Sequence, residues 1–227
     1  YRNDGTDTDF ASRAGDHHDG MYYFGLAASG SARDDNASGR GLLVMNHENI
    51  TETYLHANGQ TPGTARVLSE VIKEMECHGV SVVEVLKGTN GWNYVQNSTL
   101  NRRITPFTPM QLNGPVRGDA QVRTAFSPTG VAGRGTINNC ANGYTPWGNY
   151  LTCEENWAGY FRRPTSDNAN RPAKQAVSLA RYGVTSSSGA YRWTSATVAD
   201  PSDTRISKFD AEALASAPAD GTGDFRN

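Results

Sequence analysis

A mainly β fold of short strands, built as a sandwich, a barrel or a propeller, is what the sequence predicts, and three features predict it. The 227 residues include 24 glycines and 10 prolines, and Asn, Thr and Ser, residues suited to tight turns, are frequent among the rest. Strand-like apolar runs are short, with a turn signal about every ten residues. Helical periodicity is clear in one stretch, between Thr64 and Glu76, so one or two short helices are expected.

Residues 1–20 carry Asp4, Asp7, Asp9, Asp16 and Asp19 and read as an Asp-rich loop. EF-hand spacing is missing there, because the alternating acids and closing Glu are not in place. Met21–Ala28 and Gly41–Asn46 read as strands separated by the turn-rich SGSARDDNASGR. Val67, Val71, Ile72 and Met75 then recur at helical spacing, with Pro62 and Gly79 punctuating the helix on either side. That stripe is ordinary core packing, and Cys77 at its end reads as a buried thiol. Val80–Leu86 and Trp92–Gln96 form an expected antiparallel pair across KGTNG. Shorter strands are predicted at Gln121–Phe126, Gly135–Asn138, Tyr150–Cys153, Ala176–Tyr182 and Tyr191–Thr194, and a weakly amphipathic helix over Ala211–Ala215. The Pro/Ser/Asn-rich stretch at 163–175 reads as a variable insertion or surface loop.

Hydrophobic residues make up 37% and charged residues 19%, which describes a polar globular chain long enough for a core, in one large domain or two small ones. The formal charge is -2 with acids and bases interspersed; no basic tract offers a nucleic-acid surface. No apolar run reaches the length of a membrane span. The chain opens at Tyr1 without methionine or signal peptide and closes in ASAPADGTGDFRN, which reads as an internal or mature fragment. Cys77, Cys140 and Cys153 make an odd number, so at least one is free or metal-bound. A Cys140–Cys153 disulfide is the plainer reading of that pair.

Conventional catalytic patterns are missing: there is no GxSxG elbow, no Walker loop and no GxGxxG after a strand. His47-Glu48 begins like a zinc-protease helix, but Thr51 stands where the second histidine belongs. What remains is Asn46-His47-Glu48-Asn49, Asn138-Asn139-Cys140 and Cys153-Glu154-Glu155-Asn156. In the first and last, an apolar strand runs directly into acids and amides, and strand ends hold side chains rigidly. Each glutamate alone would be an ordinary solvated charge; three such clusters together point to a metal. Thiolate favours iron, zinc or copper, whereas carboxylate and amide oxygens suit calcium, magnesium or manganese, so more than one kind of cation is expected. His17-His18 beside Asp16 and Asp19 is more simply a flexible polar loop. Arg102, Arg103, Arg117 and Arg134 have the chemistry of an anion clamp, but none stands out from surface charge.

At these motifs the chain resembles the PhoX-type alkaline phosphatases. The matching pieces are DHHDGMYYF (16–24), GLLVMNHE (41–48), GVSVVEV (79–85), NRRITPFTPMQLNGPVRG (101–118) and GTINNCANGYTPWGNYLTCEENWAGYF (135–161). They span most of the chain up to Phe161, and the last is long and unusual. The resemblance implies that residues 1–227 are part of a β-propeller-like phosphatase domain with a metal cluster in its central cavity. It implies an exported, periplasmic or extracellular phosphomonoesterase using calcium and iron, monomeric when full length, acting on varied small phosphate esters. Carried over by motif, Cys140 would be a thiolate ligand to iron, and Glu48 and Glu154 carboxylate ligands, with Glu155 a further candidate. Family members are longer, with further acidic and phosphate-contacting residues beyond Asn227, so little turnover is expected from residues 1–227 alone. The competing readings are a calcium-dependent propeller lactonase or phosphotriesterase, and a secreted β-rich binding module stabilised by calcium.

Overall fold

Apolar residues in HDGMYYFG and RGLLVMNH draw β1 (His18–Gly25) and β2 (Arg40–His47) together as antiparallel neighbours in the computed structural model. The structure describes residues 1–62, 65–124, 126–184 and 188–212. β2 pairs along its whole length with β3 (Gly79–Gly88), from Arg40 opposite Leu86 to His47 opposite Gly79. The far edge of β3 is shared by β4 (Gly91–Tyr94), which pairs with Val85–Gly88, and β5 (Arg102–Ile104), which pairs with Val80–Val82. The five strands form one sheet in the order β1-β2-β3-β4, with β5 also on β3.

Side chains two apart share a sheet face, so Val80 and Val82 of β3 meet Val44 of β2. Phe24, Leu42, Ile104 and Tyr150 pack around them. Each buried valine contributes roughly 1.5–3 kcal/mol. At the start of β3, Gly79 has φ +99° and lies against the Ile104 carbonyl, a close approach that leaves no room for a side chain. Helix α1 (Glu52–Leu55) precedes α2 (Leu68–Glu76), whose Val71 and Met75 are fully buried, as is Cys77 just beyond its end. Glu74 of α2 accepts a 2.9 Å bond from His56 Nε2, and Lys73 Nζ donates to Leu55 O.

The chain divides into two units. The first comprises residues 1–60, 72–108 and 135–155, and holds the five-stranded sheet plus the two-stranded β8 (Asn139–Tyr144) and β9 (Tyr150–Glu154). The second comprises residues 61–71, 109–134 and 156–227, of which the described part holds the β6 (Pro109–Gln111) and β7 (Ala132–Arg134) pair and helix α3 (Ala173–Arg181). Trp193 is buried there among Tyr160, Tyr191 and Phe209.

A mainly β chain with few helices is what is observed, with three α-helices and six short 3-10 turns among the described residues where one or two helices were expected. Among the described residues the strands make one five-stranded and two two-stranded sheets, and none closes into a barrel or ring. Several local expectations fail for identifiable reasons. Ala176–Tyr182 is helical: Pro172 opens α3, good helix formers fill it, and Gly183 with φ +81° follows it. Ala120–Val122 is a 3-10 turn inside the expected Gln121–Phe126 strand, set by Asp119, whose carboxylate accepts from Gln121 N at 2.8 Å. Asn138 adopts φ 50°, so the strand expected over Gly135–Asn138 begins only at Asn139. Left-handed Arg192 likewise leads into a 3-10 turn at Trp193–Ser195. The 163–175 stretch is not a loose surface loop. It holds a 3-10 turn at Thr165–Asn170, and buried Asp167 pairs with Arg163 and Arg171. Of the helix expected over Ala211–Ala215, Ala211 and Glu212 belong to no element and the remainder lies outside the described residues.

Candidate metal centre

Four chain segments of the first unit converge at the ends of its strands: the start of β1, the residue after β2, the start of β8 and the residue after β9. They bring one ligand atom each from Asp19, Glu48 and Cys140 within 4.8 Å of one another. The Cys140 thiol also hydrogen-bonds with Glu155 and with Asp19.

Regular pleating alone would not aim these side chains together. In β1, Asp19 and Gly20 stand opposite the single residue Asn46, between the His18–His47 and Met21–Met45 pairs. In β8, Cys140 and Ala141 stand opposite the single residue Cys153, between the Asn139–Glu154 and Asn142–Thr152 pairs. Each strand thus holds one extra residue beside a candidate ligand, and such bulges bend the strand and re-aim its side chains. Left-handed residues flank the same places: His17 (φ 42°), Asn138 (φ 50°) and Asn156 (φ 42°). Left-handed backbone is uncommon outside glycine and tolerable for Asn, so three such residues around one site mark a backbone held against its preference.

Backbone bonds lock the segments to one another. Glu48 N donates to His17 O at 3.0 Å, Asn138 Nδ2 donates to Glu48 O at 3.1 Å, and Glu155 N donates to Asn138 O at 2.9 Å. β1 and β8 approach closely at Gly20. A Cβ there would lie 2.7 Å from both the Cys140 carbonyl oxygen and Asn142 Oδ1. Asn142 Nδ2 donates to Met21 O at 3.1 Å across the same contact.

The acids gathered here raise the pKa of the groups beside them. Glu155 and then Asp19, each accepting from the thiol and adding negative charge, push the Cys140 pKa up to about 12. Burial first, and Asp19 second, push the Tyr150 hydroxyl up to about 12 as well. A bound cation reverses the sign of this effect, because it favours thiolate and carboxylate together. The donor set suits a metal that accepts both sulfur and hard oxygen.

Of the residues expected at the site, Glu48 and Cys140 are brought together and Glu155 touches Cys140. Glu154 turns the other way: its Oε1 accepts from Thr136 Oγ1 at 2.7 Å and from Ile137 N at 3.1 Å. Neighbours along a strand point to opposite faces, which separates Glu154 from Glu155. Asp19 was passed over as part of a polar loop; its DHHDG setting, directly ahead of an apolar strand, was the available signal. The histidines beside it are used locally. His17 Nε2 bonds Thr51 Oγ1 at 2.8 Å, His18 Nε2 bonds Gly15 O at 3.2 Å, and the His18 ring sits edge-on to that of His47 at 4.9 Å. Arg103 Nη2 donates to the carbonyls of Glu76 and His78, and Arg134 lies 4.2 Å over the Phe126 ring while donating to Thr204 Oγ1. Cys77, Cys140 and Cys153 are free thiols, so the alternative of a Cys140–Cys153 disulfide is not realised.

Comparison with known proteins matches residues 2–215 to the family described as Alkaline phosphatase PhoX. Among solved structures, the chain is similar to Pseudomonas fluorescens PhoX in complex with vanadate, a transition state analogue. The two share 36% sequence identity with a TM-score of 0.64, over 79% of this chain and 28% of that one. The matched part of this chain therefore spans 28% of the length of that protein. No curated protein matches it.

Proposed function

The chain belongs to the alkaline phosphatase PhoX family, and from that premise we propose that it supplies part of a metal-dependent phosphomonoesterase centre. The observation that carries the proposal is the convergence of Asp19, Glu48 and Cys140 within 4.8 Å. In this reading these three residues and Glu155 hold metal, with iron at the thiolate and calcium at carboxylate oxygens. Glu154 braces the 136–137 backbone behind them. The metals supply Lewis acidity and charge neutralisation at a phosphoryl oxygen.

The side chains of this segment have definable parts in that chemistry. Asp19, Glu48 and Glu155 set the negative charge of the pocket, so a phosphate dianion is repelled until cations offset it. Cys140 would bind as thiolate, its proton released to solvent, while Glu155, hydrogen-bonded to the thiol, would stay ionised as a ligand. The bulges and the Gly20 contact fix the donors before substrate arrives, and such preorganisation is what metal-assisted phosphoryl transfer requires of the protein. A small phosphate ester as substrate, a propeller-like whole fold, a monomer, and export to the periplasm or beyond complete the reading. No described helix is long and apolar enough to cross a membrane.

Equilibrium dialysis against iron and calcium followed by elemental analysis tests the centre, with p-nitrophenyl phosphate turnover followed in the same samples. Wild-type chain should retain metal, and Cys140→Ala should lose its iron selectively. Equal metal in wild type, Cys140→Ala and Glu48→Gln would overturn the assignment. A calcium-stabilised binding module would instead keep its calcium in Cys140→Ala and melt lower under chelation.

A further inference from the structure

Asn46 stands where the core stripe of β2 should continue. Leu42 and Val44 pack on the apolar cluster, and two residues on, on the same face, comes a wholly buried amide. Burying an amide is unfavourable unless its hydrogen bonds are remade. Here they are. Nδ2 donates to Cys140 O at 2.7 Å and more weakly to Ala141 O at 3.4 Å. Oδ1 accepts from Tyr150 and Thr152 hydroxyls, each at 3.0 Å. The Tyr150 hydroxyl also lies 2.9 Å from Gly20 O, so its single proton is shared between two acceptors.

The placement ties both bulges to one side chain. Asn46 is the residue opposite the Asp19–Gly20 bulge of β1, and its amide grips the Cys140–Ala141 bulge of β8. Glu48 follows it by two residues, one past the end of β2. The three candidate ligands are therefore each within two residues of an atom held by this network. We infer that Asn46 is a positioning residue for the metal centre, fixing the separation between the strand of Cys140 and the strands of Asp19 and Glu48. This inference rests on the reading of those three residues as ligands.

The amide is required because it offers a donor on one side and an acceptor on the other. Aspartate has the same size but turns an acceptor toward the Cys140 carbonyl and adds charge beside three acids. Tyr150→Phe is milder, removing one of the two donors to Asn46 Oδ1 together with the contact to Gly20 O. The experiment is a Co2+ titration of the 227-residue chain in the cold, reading affinity and the thiolate-to-cobalt absorption band, with near-UV circular dichroism confirming the fold. Folded Asn46→Asp should bind Co2+ about 10–100-fold more weakly, the usual effect of losing a residue that orients a ligand, with its band shifted or lost. Tyr150→Phe should show a smaller loss in the same direction. An osmolyte that restores the melting temperature should not restore the band. Wild-type affinity and band in folded Asn46→Asp would overturn the inference; should that variant not fold, an unchanged Tyr150→Phe would do so. A wild-type chain with no thiolate band would remove the metal-centre reading itself and this inference with it.

Discussion

Replacing Gly20 by alanine tests whether the approach of β1 to β8 holds the site together. The new Cβ would sit 2.7 Å from the Cys140 carbonyl oxygen and from Asn142 Oδ1, and 2.8 Å from Asn142 Cβ. One of those atoms is backbone, so a rotamer change cannot clear it and β1 must withdraw. Overpacking of this kind costs about 1–3 kcal/mol. Withdrawal also weakens the Tyr150–Gly20 and Asn142–Met21 hydrogen bonds, about 1 kcal/mol each. The stiffer unfolded chain gives back about 0.5 kcal/mol. The net loss of roughly 2.5–4.5 kcal/mol corresponds to a melting temperature lower by roughly 5–18 °C. Asp19 moves with Gly20, so Co2+ affinity should fall together with stability. Gly143→Ala, in the same β8 with nothing within 4 Å of the added atom, is the control and should be neutral. Thermal melts in chelator, paired with metal titrations, read both effects. A Gly20→Ala protein that melts with Gly143→Ala and binds Co2+ like wild type would refute the reasoning.

The two adjacent glutamates should separate cleanly. Glu154→Ala should lower stability by about 1 kcal/mol through loss of the bonds from Thr136 and Ile137 while keeping metal, whereas Glu155→Gln should weaken metal binding at nearly unchanged stability. The Cys140 thiol, raised to about 12 in the free site, must lose its proton to ligate, so apparent affinity should climb about tenfold per pH unit from acid to neutral pH. A Co2+ titration series with no pH dependence in wild type, or with the same dependence in Cys140→Ser, contradicts this. His47 and His78 are held neutral by burial, with pKa lowered to about 2 and about 4. The unfolded chain therefore binds protons that the folded one refuses. Stability should fall as pH drops from about 6.5 toward 4, by roughly 1.4 kcal/mol per pH unit for each histidine, measured by urea unfolding.

Much of the sheet was legible because β1, β2 and β3 carry short apolar runs, aromatic in β1, aliphatic in β2 and valine-rich in β3, and β3 and β4 flank a recognisable tight turn. The three-residue strands β5, β6 and β7 were not, since a run that short carries no period. Helix α3 was missed because Val177 and Leu179 suggested alternation, while the stronger information lay in Pro172 and Gly183 at its ends. At the candidate site, residue type singled out Glu48, Cys140, Glu154 and Glu155, of which the structure brings Glu48 and Cys140 together and sets Glu155 at the thiol. It could not separate Glu154 from Glu155, because that depends on which face each occupies. Asp19 carried only the weak signal of DHHDG ahead of an apolar strand, since the bulge beside this carboxylate depends on how β1 pairs with β2.

Two extra residues, one in β1 and one in β8, make this centre sensitive to chain length as much as to chemistry. Deleting either would let the ladder run unbroken, yet half a strand would present its opposite side to the candidate site. Descendants of this sequence can thus lose the site without changing a single ligand. When related chains are aligned, a one-residue gap beside Asp19 or Cys140 would say more about lost chemistry than many substitutions elsewhere.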